Sequence, residues 1–570
     1  MKKIAIYFTS LLCGVLLFSS CDDFLTTYPR DVLSPATGWQ TQDDVRRFLV
    51  GLYAGNQFLW GEMPMGMENA SDIGFGFHSG EGWRQIGDGS QTAQHAGRYW
   101  YFYCFVQIRR VNYFLANIGR VEMDEAVRRD MIAQARFIRA WRFHLMNWLY
   151  GDVPLMLGLP QNTDDAQVPR TPSAEVQAFI NSEIDLALQD INDVPEHRGM
   201  IGRGAVLMLK MRAALWQHDY ARALSASREL SAMGRYRLHT ETGPASGPMA
   251  VPGALSHLFS LAAQDTSPEI ILSRQRHVPG NNEWFVTIPN NADGGWSSFV
   301  PTQNLVDMFE MANGLTICNP ASGYDPTRPF YGRDPRLEMT VVVPGVYWRV
   351  GSGVHYRDIL NTLDRVLPNG TPNVNFPGTA NNTSSTGLSW ARYMLPFAQY
   401  TGGTADGGVA LNPTNTQFIF FRYAESLLIR AEAFNEVYGP GEEAFAALDA
   451  VRARSNMPPV DRVRYGTQAT LREMIRRERA VELAGNGTRR FDILRWRDAN
   501  GQMLALTVMP GNLYRMVGYL DYDEPNPMRR AVITGRELIE LRRFQPHNRF
   551  FPIPQHLVDN NPNLTQNPGF

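Results

Sequence analysis

Apolar positions along this chain recur three and four residues apart over long runs, the spacing that puts them on one face of an α-helix. In residues 124–150 the stripe is Ile132, Ala135, Ile138, Trp141, Leu145, Trp148 and Leu149, and Tyr150-Gly151-Asp152-Val153-Pro154 ends it. Residues 43–58 carry Val45, Phe48, Leu49 and Leu52 on one side. Residues 98–118 carry Trp100, Tyr103, Ile108, Val111, Phe114 and Leu115. Residues 173–191 present Val176, Ile180, Ile184 and Leu188, with Ser173 as the expected N-cap.

Two stretches read as paired helices. In 204–234, AVLMLKMRAALW is followed by HDYARALSASREL, with Ala213, Ala214 and Ala223 small enough for close approach and Tyr220 filling the junction. A second pair covers 421–438 and 441–454. Both look like tetratricopeptide units, which bury their apolar faces only by stacking on neighbours. The two pairs are therefore expected to meet in space, with the chain between them inserted. The fold class is mainly α: a tetratricopeptide-like helical repeat superstructure with a large irregular, loop-rich inserted subdomain. The expected division is 1–20 leader, 21–37 tether, 38–234 N-terminal helical repeats, 235–416 insertion, 417–500 C-terminal repeat and signature helices, and 501–570 an irregular segment packing back on the core.

Two segments have neither period. Residues 61–97 contain DIGFGFHSGEGWRQIGDGSQ and are expected to form a long loop; residues 281–299 read NNEWFVTIPNNADGGWSSF. Their aromatic side chains either tuck into a core or offer ring faces to a ligand.

Residues 471–500, LREMIRRERAVELAGNGTRRFDILRWRDAN, combine a helix stripe (Leu471, Ile475, Ala480, Leu483) with Gly485 and Gly487 as a stop. A second short helix turns Phe491, Leu494 and Ile493 or Trp496 inward. The interleaved Glu478, Arg479, Glu482, Arg489, Arg490 and Asp492 form either an anion or acid–base site or a charged lattice that locks the two helices; the lattice is the expected outcome. Glu478, Arg479, Glu482, Leu483, Arg490, Asp492, Arg495 and Trp496 resemble the signature of the SusD/RagB family of outer-membrane nutrient-binding lipoproteins of Bacteroidetes. The strings FLTTYPRDVLS, YGDVPL, TQNLVDMFEMANG, GRDPRLEMTV and the closing RFFPIPQHLVDNNPNLTQNPGF are similar to family segments as well. The resemblance implies capture of oligosaccharide or polysaccharide at the outside of the outer membrane, delivery to a SusC-like TonB-dependent transporter, and no catalysis. The RagB side of the family implies peptide capture instead.

Composition narrows the classes. The apolar fraction of 44% and aromatic fraction of 11% suit a packed globular chain, and a formal charge of −2 disfavours nucleic acid as a partner. Lys2, Lys3, the apolar run to Phe18 and Ser19-Ser20-Cys21 predict a lipoprotein leader, with Cys21 as the lipidated residue and membrane anchor. An ordinary secretion signal with an incidental cysteine is the alternative. Loss of the leader takes the formal charge from −2 to −4. Cys104 and Cys318 either pair or remain free.

The sequence holds no nucleophile elbow, zinc motif or phosphate loop. His197 and His218 are expected at the surface or at helix ends. Glu68, Asp72 and Glu81 are the carboxylates nearest the aromatic loop, so a surface glycoside hydrolase is a second function class and a ligand-free helical scaffold a third. No catalytic residue, metal or cofactor is assigned. A carbohydrate binder needs ring faces and polar side chains for hydroxyls. The candidates are Trp83, Trp284 and Trp296 as platforms, Phe75 and Phe77 beside them, and Arg84, Asp88, Asn290 and Asn291 as polar partners.

Overall fold

The computed structural model describes residues 38–55, 63–94, 98–242, 253–275, 288, 291, 295–349, 357–393 and 417–570. The leader, the tether, Cys21, Trp284 and Asn290 lie outside the described residues.

The long helices follow the apolar stripes. Those that frame the fold and the site, in chain order and leaving out shorter ones, are α1 (Gln42–Gly55), α2 (Met63–Asn69), α3 (Trp83–Asp88), α4 (Arg98–Asn117), α5 (Glu125–Tyr150), α6 (Ser173–Asp190), α7 (Arg203–Trp216), α8 (Tyr220–Ala232), α9 (Tyr423–Tyr438), α10 (Glu442–Arg454), α11 (Gln468–Glu482) and α12 (Arg489–Arg495). Asp124 caps α5 by accepting from the backbone N–H groups of Ala126 and Val127, and Gly151, at φ 75°, ends it. Ser173 is not the cap of α6: Pro172 holds that position, and the Ser173 N–H donates to Asp152 at 2.7 Å.

Antiparallel neighbours α5–α6, α7–α8 and α9–α10 stack in sequence, and α8 packs directly on α9. The two repeat pairs predicted from sequence therefore meet across the intervening chain. Their seam is narrow because small side chains line it: Ser227 Oγ and Ser426 Oγ lie 3.0 Å apart. Strand β2 (Ile270–Ser273) in the inserted stretch pairs antiparallel with β4 (Ile419–Arg422) immediately before α9. One apolar cluster runs from Val45 through Trp390 to Ile553, so both ends of the described chain share a core. Cys104 is buried and Cys318 exposed, and both thiols are free. No helix among the described residues is long and apolar enough to cross a membrane.

The charged stretch forms a buried lattice rather than an open site. Glu482 accepts from Arg336, Arg422 and Arg454, and Glu478 from Arg336 and Arg452. Glu269 holds Arg422 and Arg454 at 3.0 and 2.8 Å, and Asp334 holds Arg336 at 2.7 Å. At the other end, Asp492 accepts from Arg479 at 2.8 Å and from Arg495 at 2.7 Å. Glu432 binds Arg495 and the Trp496 indole N–H. Planar guanidinium forks suit this arrangement because each serves two carboxylates without reorienting. The lattice ties α9, α10, α11 and α12 to side chains from the inserted stretch.

Residues 61–97 are not one long loop. Besides α2 and α3 they contain strand β1 (Gly74–Gly76) and a single 3₁₀ turn, Ser79–Glu81. These elements are too short for a periodicity to register in the sequence. Near the carboxyl end, β5 (Gly511–Leu520) and β6 (Ala531–Arg542) form a two-stranded hairpin. Arg542, at its end, donates to the backbone oxygens of Ser71 and Gly74, both at 2.8 Å, and so clamps the loop that carries β1.

Candidate functional site

Pairing of β1 with β3 (Phe299–Pro301) creates the site. The register is Gly74 with Pro301, Phe75 with Val300 and Gly76 with Phe299. The Phe77 N–H donates to the Ser298 carbonyl at 2.9 Å and carries the ladder one step further. Two aromatic, glycine-rich segments far apart in sequence thus become one surface.

Trp296 is 43% exposed. The His78 ring stands edge-on to it at 6.3 Å, and Phe77, half-buried, stands edge-on to His78 at 4.7 Å. These T-shaped contacts fix ring orientation beyond what area burial does. The turn that follows is held by the Gln85 side-chain amide, which donates to the Ser79 carbonyl at 2.9 Å.

Two side-chain atoms in this patch, His78 Nε2 and Gln85 Oε1, are shielded from solvent and have no hydrogen-bond partner among the described residues, and Glu81 Oε2 is shielded beside the Ser298 hydroxyl. An unpaired polar atom of this kind costs about 1–3 kcal/mol. Burial pushes the Glu81 carboxyl up to about 7, against a smaller opposing effect of the Ser298 hydroxyl.

The other sequence candidates fall elsewhere. Trp83 is not a platform: it is 3% exposed, edge-on to Phe299 at 6.4 Å. A Cβ added at Gly66 would sit 2.3 Å from its ring, so glycine is needed there for close approach. Phe75 is not a platform either; as the middle residue of β1 it packs against Val300 and Leu513 in a small apolar cluster. Arg84 Nε donates to Glu540 at 2.9 Å, and its guanidinium lies 5.6 Å from the Phe75 ring centre, so it ties α3 to the hairpin. Asp88 sits at the C-terminal end of α3, where its carboxylate accepts from the Ser90 N–H. Asn291 is half-buried. Glu68 and Asp72, the other carboxylates near the loop, are enclosed: Glu68 accepts from the Gly487 N–H, and Asp72 pairs with Arg489 at 2.7 Å.

Sequence reasoning did not single out His78 or Gln85. They lie in the same aromatic segment, but nothing in a short turn says which side chains face outward. Trp83→Ala should lower the thermal midpoint by the equivalent of about 3–5 kcal/mol, the usual cost of emptying a large aromatic site in a core. Differential scanning fluorimetry checks this, and a shift of under a degree contradicts the placement.

Residues 268–570 match the SusD family. The SusD-like protein P25 of Formosa agariphila is 25% identical over 514 residues, covering 84% of this chain and 88% of its own. A SusD-like protein of Bacteroides fragilis superposes with a TM-score of 0.75 at 22% identity, covering 95% of this chain and all of that one. A SusD-like carbohydrate binding protein of the same species gives 0.72 at 23% identity, with coverages of 93% and 100%. The family match takes in the lattice helices and more than half of the sequence, and the helical stack recurs across nearly the full length of solved relatives: the chain belongs to the SusD family.

Proposed function

We propose that this chain is a non-catalytic, cell-surface binding protein that captures oligosaccharide or polysaccharide on the Trp296 surface. The observation that carries the reading is the exposed indole face beside His78 Nε2 and Gln85 Oε1, buried and without a hydrogen-bond partner among the described residues, and beside the shielded Glu81 carboxyl. A sugar ring offers an apolar C–H face for the indole and hydroxyls for Glu81 and Gln85, so a single ligand class meets both demands. The solved relative described as carbohydrate binding supports the same class. In this reading Cys21 carries the acyl anchor, the outer membrane is the site of action, and a SusC-like TonB-dependent transporter receives the glycan.

Calorimetry of the full chain against a glycan panel tests the proposal: saturable binding of at least one glycan, with the ligand recovered uncut, is the expected result. New reducing ends after incubation contradict the non-catalytic part. A peptide pool that binds while every glycan fails contradicts the ligand class.

The Glu81 carboxyl adds a pH signature. Its pKa is raised by folding, so the protonated acid dominates below about 7 and the carboxylate above it. The carboxylate is the stronger acceptor for hydroxyls. Affinity should therefore rise a few-fold between pH 6 and 8, and Glu81→Gln should flatten the profile. A wild-type profile that is already flat over that range removes Glu81 from the site.

A further inference from the structure

A concavity lies apart from the Trp296 surface, between α1, α4 and the loop through 159–161. Its volume is about 950 Å³, the upper end of the range for small-molecule sites. Its floor is aromatic: Phe48, stacked on Trp39 at 4.3 Å and 7°, with Tyr113 and the buried Phe114. The far wall is fixed to α4 by Asn112, whose side-chain amide donates to the carbonyls of Met156 and Gly158.

Three arginines, Arg47, Arg109 and Arg110, line this groove, all solvent-exposed, and among the described residues no acidic one lines it. Among the described residues Arg47 has one carboxylate partner, Asp44 at 3.5 Å, and that group is already engaged by the Thr41 N–H and hydroxyl at 3.0 and 2.8 Å. Neither Arg109 nor Arg110 has an ion-pair partner among the described residues. Three like charges around one concavity repel one another and focus a positive potential in a chain whose overall charge is −2. Gly51 sits inside α1 facing this space, and a Cβ built there meets nothing within 4 Å. Glycine is a poor helix residue, so its place in mid-helix costs stability while it keeps the floor open.

We propose that this groove is a second binding site, for an anionic saccharide bearing carboxylate or sulfate groups. Guanidinium forks bind either anion in a bidentate manner, and the adjoining ring faces suit sugar rings. The choice of a saccharide over an acidic peptide rests on the glycan-binding reading above; the groove and its charge do not.

The test is calorimetry of the full chain with four probes of equal length: an oligogalacturonate, a sulfated galactan oligosaccharide, a neutral gluco-oligosaccharide and an oligoglutamate peptide. At least one anionic saccharide should bind wild type, more weakly as salt rises. The double variant Arg109→Ala/Arg110→Ala should weaken that binding about tenfold or more. Gly51→Leu, which fills the groove without touching a charge, should do the same while the thermal midpoint holds or rises. The galacturonate and galactan arms tell carboxylate from sulfate as the preferred anion. Anionic binding that survives both variants overturns the proposal, as does an oligoglutamate that binds through the same arginines while both anionic saccharides fail. If the neutral probe binds and neither anionic one does, the groove proposal falls and the glycan reading stands. If an anionic probe binds with the arginine dependence, Trp296→Ala leaves that binding unaltered, and every neutral glycan of the panel fails, the groove stands and the Trp296 reading falls.

Discussion

Glu482→Ala is expected to lower stability by about 3–5 kcal/mol, the cost of stranding buried charges. Glu482 is fully buried and accepts from Arg336, Arg422 and Arg454, while its backbone carbonyl accepts from Arg392. Burial alone would raise its pKa, but the guanidiniums of Arg454, Arg422 and Arg336 outweigh that and hold the carboxyl far below the usual range. Alanine leaves those cations without their shared counter-charge, in a place water does not reach. Scanning fluorimetry should show a fall in midpoint of roughly 3–5 °C for a chain of this size, with reduced soluble yield. Replacing Glu482 and Arg454 together by methionine should cost less than the two single changes added, because each single change strands a partner. The pH dependence has a definite sign. Folding depresses the pKa of Glu482 and takes that of Glu432 down to about 2, so their contribution is present above about pH 4.5 and is lost as pH falls towards their folded values. A midpoint unchanged in Glu482→Ala contradicts the structural role of the lattice.

Trp296→Ala is expected to remove about 2 kcal/mol of glycan binding, roughly thirtyfold in affinity, with no loss of stability. The indole is 43% exposed and meets the His78 ring edge-on, so the fold depends little on it. Trp83→Ala is its mirror image: a large loss of stability from a residue that offers no face to ligand. Calorimetry and fluorimetry on the two variants separate support from contact. If Trp296→Ala leaves every binding curve unaltered, the chain acts as a scaffold or binds elsewhere.

The helical frame was legible because α5 and the repeat helices are long enough for a stripe to stand out from composition, and because Ala213, Ala214 and Ala223 mark close approach. The lattice was legible in part. Glu478, Glu482, Arg479 and Asp492 declared themselves by spacing, and Arg336 by its place beside Asp334 in GRDPRLEMTV, but the partners Glu269 and Arg422 lie far away in the chain and carry no local sign. The site was less legible still. Trp83 and Trp296 sit in similar glycine-rich settings, and what buries one is the gap left at Gly66, a contact between separate elements. Phe75 was misplaced for a related reason: a three-residue strand shows no alternation, and its pairing with Val300 is decided by chain distant in sequence. The arginines of the groove belong to helices whose buried faces include the predicted Val45, Leu49, Leu52, Ile108, Val111 and Phe114. Their exposed faces gather in one place only after α1 and α4 pack.

Crystallographic density of a bound glycan addresses the central claim most directly. The account predicts an unbroken saccharide with one ring laid flat on the Trp296 indole at about 4 Å, and hydroxyls on the side chains of Glu81 and Gln85. Density for cleaved product there, or for ligand bound with the Trp296 face bare, contradicts it.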